Sequence, residues 1–336
     1  MDAEPLVTVV TPVYNTGKYL EQAIRSVLAQ SYKNWEYIIC NNHSTDNSGE
    51  IAARYAQLDP RIRVVTPPQF LPQSANFNFA FRQISPDSRY TKMIFGDDRL
   101  LPNCLREMVT VAESSPSIAM VSSYRLVEAD GDCFGLPLDE TVIPGRVAGR
   151  LHLLNGIFLF GTPSTVLYRS HLVRSRSPQF YPEDRFYFDT DVAFQLLVDH
   201  DFGFVHQVLT FSRYQPDSIT HKEQRFYSRE VDRIICLHSY GRQYLTEAEY
   251  DRSLARARRV YYEGLGRGWL TQWLGGPSTE FWEYHRERLS GVGLKIEPAR
   301  LAWGTCCAFL RTLASPFDLI RGIVRSRRPA ENPWRA

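Results

Sequence analysis

Two adjacent carboxylates follow an apolar run in "MIFGDDRLLP" (93–102). Like charges repel and aspartate is a poor strand residue, so Asp97 and Asp98 mark either a solvated turn or a seat for something positive. Polar residues also end two earlier apolar runs: Tyr14 and Asn15 after "VTVVTPV", and Asn41 and Asn42 after "WEYIIC". A hard dication, Mg²⁺ or Mn²⁺, takes one or two protein carboxylates when substrate phosphates supply further oxygens, which gives the acidic pair a physical purpose. No G-x-G-x-x-G follows the first run, so the glycine route for cradling a pyrophosphate is absent. A phosphorylated nucleotide bound here would need a cation as its neutraliser.

These residues meet only if the elements that carry them form one sheet. Leu6–Thr11, Trp35–Cys40, Ile62–Thr66, Tyr90–Phe95 and Ile118–Tyr124 read as short buried strands. Leu20, Ala23, Ile24, Val27 and Leu28 recur at helical spacing. A second helix starts near Ser48 as its N-cap and carries Ile51, Ala52, Tyr55 and Leu58, and two more are expected over about 74–83 and 101–114. Such alternation predicts an α/β fold with a largely parallel sheet, whose ligands gather outside the carboxyl ends of the strands. That rule brings Tyr14, Asn15, Asn41, Asn42, Asp97 and Asp98 to one edge. Beyond residue 125 the pattern weakens: a turn-rich excursion or hairpin, then "GTPSTVLYRS" leading into a strand, a helix from Asp189 to His200, and a strand in "FGFVHQVLTF". From about residue 223 the chain is helical in pattern and rich in Arg and Tyr. The expected division is a catalytic domain over 1–222 and a helical C-terminal region over 223–336.

With 336 residues and a net charge of +2, the chain lacks the concentrated basic face of a nucleic-acid binder. Six cysteines without CxxC spacing predict reduced thiols in a cytosolic protein, with Cys306 and Cys307 as small core residues. The start "MDAEPLVTVVTPVYN" has no signal-peptide character, and no run approaches the roughly 18–20 apolar residues of a membrane span. A cytoplasmic protein is expected. The tail "LAWGTCCAFLRTLASPFDLIRGIVRSRR" suits equally a helix on the inner face of a membrane and a helix packed on the catalytic domain.

The stretch from Val7 to Asp98 resembles the family 2 glycosyltransferases of the GT-A fold. The opening "VTVVTPVYNTGKYLEQAIRSVLAQSYKNWEYII" carries the likeness, with "STDNS" and "DDRLLP" at the expected separations. It continues through "GTPSTVLYR", "FDTDVAFQLLVDHDFGFV" and "RYQPDSIT". The resemblance implies a Rossmann-like, mostly parallel sheet flanked by helices. It further implies inverting transfer of a sugar from a nucleotide diphosphate, UDP by preference, to a hydroxyl of a saccharide or lipid-linked acceptor, as in cell-surface polysaccharide synthesis. By the same resemblance Tyr14 stacks on the base, and Pro12, Asn41 and Asn42 line the nucleotide. Asp98 takes Mn²⁺ or Mg²⁺, Asp97 the ribose or a metal-bound water, and Asp189 acts as catalytic base with Asp191 as fallback. Asp46 is expected to hold its loop or cap the next helix. Several positions depart from the family pattern. Asn41 and Asn42 stand for aspartates, Phe188 for a glutamate, and Gln215 for a histidine that can help hold the metal-diphosphate. Arg213 remains a candidate for phosphate, and His221 is a distant substitute for the missing histidine. These departures support an alternative, a catalytically silent GT-A domain that binds nucleotide or glycan. Survival of Asp97, Asp98 and Asp189 supports the enzyme.

Overall fold

The computed structural model describes residues 4–127, 130–132, 135–155, 159–183, 185, 187–213, 226–271 and 279–314. The chain forms two compact units, Met1–Gln215 and Pro216–Ala336. In the first, β1 (Val7–Val13), α1 (Gly17–Leu28), β2 (Trp35–Asn41), α2 (Ser48–Leu58) and β3 (Ile62–Val65) alternate as expected. Next come α3 (Gln73–Phe81), β4 (Tyr90–Met93), β5 (Arg99–Leu100), α4 (Cys104–Glu113) and β6 (Ile118–Val127). The less regular half supplies β7 (Asp130–Asp132), β8 (Val142–Pro144), α5 (Gly145–Asn155), β9 (Leu167–Arg169), α6 (Ser170–Arg174), α7 (Phe188–Leu197) and β10 (Asp201–Ser212).

One sheet runs in the order β3-β2-β1-β4-β9-β6-β10-β5, with β7 on β6 and β8 on β10. The pairs β1/β2, β1/β4, β2/β3 and β6/β10 are parallel. Every residue of β1 is buried, as a strand covered by helices on both faces requires. One strand breaks the pattern: β9 lies antiparallel between β4 and β6. Arg169 at its end is buried, and its guanidinium donates to the carbonyls of Ala112 and Ser115, both at 2.7 Å. A charge placed there is tolerated because those carbonyls satisfy it.

Two local differences from the sequence reading have visible causes. The apolar run 90–95 yields a strand only to Met93, because the Phe95 N–H turns to Ser164 Oγ at 3.0 Å instead of to a neighbouring strand. Ser48 starts α2 without capping it: its hydroxyl accepts the Thr16 N–H at 3.0 Å, while Asp46 accepts the Ser48 N–H at 3.0 Å.

The second unit contains α8 (Ser228–Tyr244), α9 (Glu247–Thr271), α10 (Thr279–Ser290) and α11 (Pro298–Ala314). Helices α9 and α11 touch backbone to backbone. A Cβ on Gly304 would stand 2.1 Å from the Tyr262 carbonyl oxygen, so only glycine permits this approach. Arg311 pairs with the buried Glu263 at 2.7 Å across the same contact. Cys306, expected in the core, stands exposed, and Cys307 is half-buried. Once glycine takes the tight crossing face, the adjacent cysteine pair falls beside it. Among the described residues no helix is long and apolar enough to cross a membrane.

Gly161 adopts φ +77°, and a Cβ there would lie 2.0 Å from Thr165 Oγ1. That hydroxyl is engaged, accepting the Thr162 N–H at 2.8 Å and donating to the Thr162 carbonyl at 2.9 Å. Gly161→Ala is therefore expected to cost roughly 1–3 kcal/mol and lower the thermal midpoint by several degrees. An unchanged midpoint would show that the turn carries no such strain.

Candidate active site

The turn after β4 holds the acidic pair. Gly96 lets it approach the β1–α1 connection, since a Cβ there would sit 2.5 Å from Thr16 Oγ1. Asp98 is 4% exposed. Its carboxylate accepts the Arg213 backbone N–H at 3.2 Å and a hydrogen bond from the Ser164 hydroxyl. Burial and, second, the charge on Asp97 push the Asp98 carboxyl up to about 6; the bonds from Ser164 and Arg213 oppose that rise. Asp97 is also raised, by burial, with Arg213 pulling the other way. The Arg213 guanidinium serves this turn directly. Its Nε donates to the Asp97 carbonyl at 3.3 Å, Nη2 to Gln22 at 3.0 Å, and its plane lies 4.1 Å from the Tyr19 ring centre. The fork foreseen as a phosphate partner thus holds the acidic turn in place.

The donor set suits a hard dication. Two carboxylates on one turn are penalised when ionised, and a cation would relieve that penalty. Among the described residues no group of three or more His, Cys, Asp or Glu could hold a metal, so further ligand positions would fall to water and substrate oxygens. Gln215 and His221 lie outside the described residues.

The neighbouring strand ends are tied together. Asn15, at φ 51°, accepts the N–H groups of Thr45 and Asp46 at 2.8 and 3.3 Å. Asp46 accepts the Gly17 N–H at 2.9 Å as well as that of Ser48, joining the starts of α1 and α2. Burial opposes ionisation of Asp46, but the bonds from Ser48 and Gly17 outweigh it and lower its carboxyl. Asn41 Oδ1 accepts the Ser44 N–H at 3.1 Å. Asn42 is buried and clamps Leu71 from both sides, accepting its N–H at 2.9 Å and donating to its carbonyl at 2.8 Å. Pro12 is buried within β1, opposite Cys40. Tyr14 is 48% exposed and meets Phe70, 54% exposed, edge to face at 4.9 Å. Sequence reading passed over Phe70, although an exposed aromatic in "TPPQFLP" beyond the third strand was a usable signal.

Asp189 opens α7, where its Oδ1 accepts the Thr190 N–H at 2.8 Å. Burial first, with Asp191 adding repulsion, pushes its carboxyl up to about 6 against that bond and the pull of Arg125. An aromatic train joins it to the acidic turn: Phe95 to Phe77 at 5.3 Å, Phe77 to Phe188 at 5.7 Å, Tyr181 to Phe188 at 4.9 Å. Phe188, where the family pattern has glutamate, is a link in that train. The charge of Arg125, on β6 and also unremarked in the sequence, pulls against the rise of both Asp98 and Asp189. Asp191 is buried two residues further along α7.

The sheet thus carries an acidic turn after β4, an exposed aromatic pair in the connections after β1 and β3, and a further raised carboxyl at the start of α7. The model of the family described as "Glycosyl transferase family 2" matches residues 8–175, half of the 336-residue chain, and the chain belongs to that family. Asp189 lies beyond the matched residues. Glycosyltransferase GlyG of Streptococcus pneumoniae serotype 4 is 31% identical over 132 residues, 38% of this chain and 42% of that protein. The putative teichuronic acid biosynthesis glycosyltransferase TuaG of Bacillus subtilis is 31% identical over 139 residues, 41% of this chain and 53% of that protein. The chain thus spans about half the length of these curated relatives. Among solved structures, S. aureus TarS 1–349 in complex with UDP-GlcNAc aligns at TM-score 0.56 and 15% identity, covering 77% of this chain and 72% of that one. Mannosyltransferase PcManGT from Pyrobaculum calidifontis, in complex with GDP-Man and Mn²⁺, aligns at 0.55 and 15%, covering 94% and 83%. The fold is GT-A.

Because the folded chain raises the Asp98 carboxyl above its ordinary value, the folded state binds more protons than the unfolded state between about pH 4 and 6. Metal-free stability therefore falls as pH rises through that window and stays lowered above it. Asp98→Asn removes that share: its thermal midpoint should match wild type near pH 4 and exceed it at pH 7.5. Added Mn²⁺ should raise the wild-type midpoint at pH 7.5 and leave the variant's unmoved. Equal responses of both proteins to Mn²⁺ would remove Asp98 from the cation site.

Proposed function

We propose that the chain transfers a sugar, with inversion, from a nucleotide diphosphate donor to a hydroxyl of a saccharide or lipid-linked acceptor. The observation that carries this reading is the pairing of a buried acidic turn at the sheet edge with a second carboxyl at α7, both held ready to exchange charge. UDP is the favoured nucleotide. Tyr14 and Phe70 offer ring faces to a base; beyond the backbone bonds they already make, Asn42 keeps one donor and one acceptor and Asn41 two donors and one acceptor for the base edge. Asp98, with Asp97, would hold Mn²⁺ or Mg²⁺. When bound, such a cation supplies neutralising charge for the diphosphate leaving group. Arg213 and Ser164 keep the acidic turn oriented for it.

On the other side, Asp189 acts as the base, taking the proton from the acceptor hydroxyl as that oxygen attacks the anomeric carbon. Its raised carboxyl suits the task, since a base works best when its pKa lies near the working pH. The aromatic train behind it excludes water and fixes the helix start. A single displacement inverts the anomeric carbon. GT-A structures bound to UDP-GlcNAc and to GDP-Man with Mn²⁺ support a nucleotide-sugar donor here. GlyG and TuaG, as glycosyltransferases, support the transfer.

Peripheral contact with the inner face of a membrane belongs to the same proposal. Trp303, Cys306, Phe309 and Leu310 stand exposed on α11 at spacings of three and four, one helical face. The sequence beyond, residues 315–336, adds Arg321, Arg325, Arg327, Arg328 and Arg335 against two acids, Asp318 and Glu331, and this basic excess favours an anionic surface.

Two experiments check these points. With Mn²⁺ and a panel of nucleotide sugars, donor hydrolysis or transfer should fall by about 10²–10⁴-fold in Asp189→Asn. Wild-type kcat/KM should rise with pH below about 6, then level, as Asp189 loses its proton. Tight nucleotide binding without turnover on any donor would favour the silent binding module. For the membrane, replacing Trp303 and Phe309 with serine should reduce retention on vesicles rich in phosphatidylglycerol; undiminished retention would dismiss the α11 face.

A further inference from the structure

Lys92 is the one buried lysine among the described residues, in the middle of β4 between β1 and β9. Enclosing an ammonium in a sheet is costly unless its donors are satisfied, and methionine would fill the same volume without that cost. Its Nζ donates to the Ser164 carbonyl and, at 3.4 Å, to that of Val166. Thr210 Oγ1 donates to the same Ser164 carbonyl at 3.2 Å. The other end of Ser164 faces the acidic turn. Its hydroxyl accepts the Phe95 N–H at 3.0 Å and donates to the Asp98 carboxylate.

We infer that Lys92 is a positioning residue for the cation site, acting through Ser164: by anchoring the Ser164 carbonyl it aims the Ser164 hydroxyl, which fixes Phe95 and turns Asp98 toward the seat of the dication. This rests on the reading of Asp97 and Asp98 as a cation site. Burial lowers the Lys92 ammonium to about 8, while the Cys104 and Asp98 charges oppose the fall. The neighbouring acid therefore helps keep the anchor charged. Fixed supports behind a metal-binding carboxylate commonly govern affinity by about 10–100-fold.

The relay is tested with Lys92→Met, Ser164→Ala and the double variant. The first readout is amide hydrogen exchange in metal-free protein. Exchange should quicken at 94–98 and 163–166 in both single variants, with the remainder of the sheet at wild-type rates. The second is Mn²⁺ affinity in the presence of UDP, read from the electron paramagnetic resonance signal of free Mn²⁺. Each single variant should weaken it about tenfold, and the double variant should be little weaker than either, as a shared path requires. Independent, additive losses would overturn the relay. So would faster exchange spread evenly over the sheet with Mn²⁺ affinity unchanged, which marks a merely structural lysine. If wild type binds no Mn²⁺, the cation reading fails by itself, and the exchange rates at 94–98 still decide whether Lys92 positions the turn. Ser164→Ala keeps the carbonyl that Lys92 needs, so a folding failure of Lys92→Met leaves the link from Ser164 to Asp98 measurable.

Discussion

The site depends on keeping two neighbouring carboxylates in a place that disfavours their charge. Asp98 is almost fully enclosed and Asp97 stands next to it, so each ionisation works against burial and against the other. An exposed turn would let water satisfy the pair and leave little affinity for a cation. A fully sealed turn would keep both protonated. The chain holds an intermediate condition by giving Asp98 two directed hydrogen bonds, from the Ser164 hydroxyl and the Arg213 backbone. These offset part of the burial penalty while leaving lone pairs for a further partner.

The supports come from distant parts of the chain. Ser164 arrives from the turn before β9, Arg213 from the end of β10, and Gln22 from α1, where it steadies the Arg213 guanidinium. The antiparallel insertion of β9 places the Ser164 turn beside β4, and Gly161 gives that turn its left-handed entry. The aromatic train then couples the acidic turn to α7, since Phe77 touches both Phe95 and Phe188. Close-packed rings transmit displacement poorly absorbed elsewhere, so the separation between the acidic turn and Asp189 is set by packing instead of by any direct bond.

Much of the parallel half was legible because its strands are unbroken apolar runs and its helices keep a clean 3.6 period, as in Leu20, Ala23, Ile24 and Val27. The acidic turn was legible by position at a strand end. Harder to read were β9, three residues long, whose direction is set by its partners, and Lys92, which in "YTKMIF" looks like the solvent side of an alternating strand. Phe70 sits in a loop whose path depends on Asn42, so its meeting with Tyr14 has no periodic trace. Arg125 acts by charge on Asp98 and Asp189 from β6, a relation that exists only after the sheet is assembled.

The asparagine at position 42 follows from the same logic of satisfied groups. Where the family pattern has an aspartate, this side chain both accepts from and donates to the Leu71 backbone. An ionised aspartate accepts only, so it would leave the Leu71 carbonyl without its donor and set charge against that oxygen. The Leu71 clamp in turn holds the segment bearing Phe70 against Tyr14. A buried amide thereby fixes the loop, and the exposed rings of Phe70 on that loop and Tyr14 just after β1 meet edge to face. The departure from aspartate is thus a structural exchange: a side chain that could only accept gives way to one that satisfies both backbone groups of Leu71.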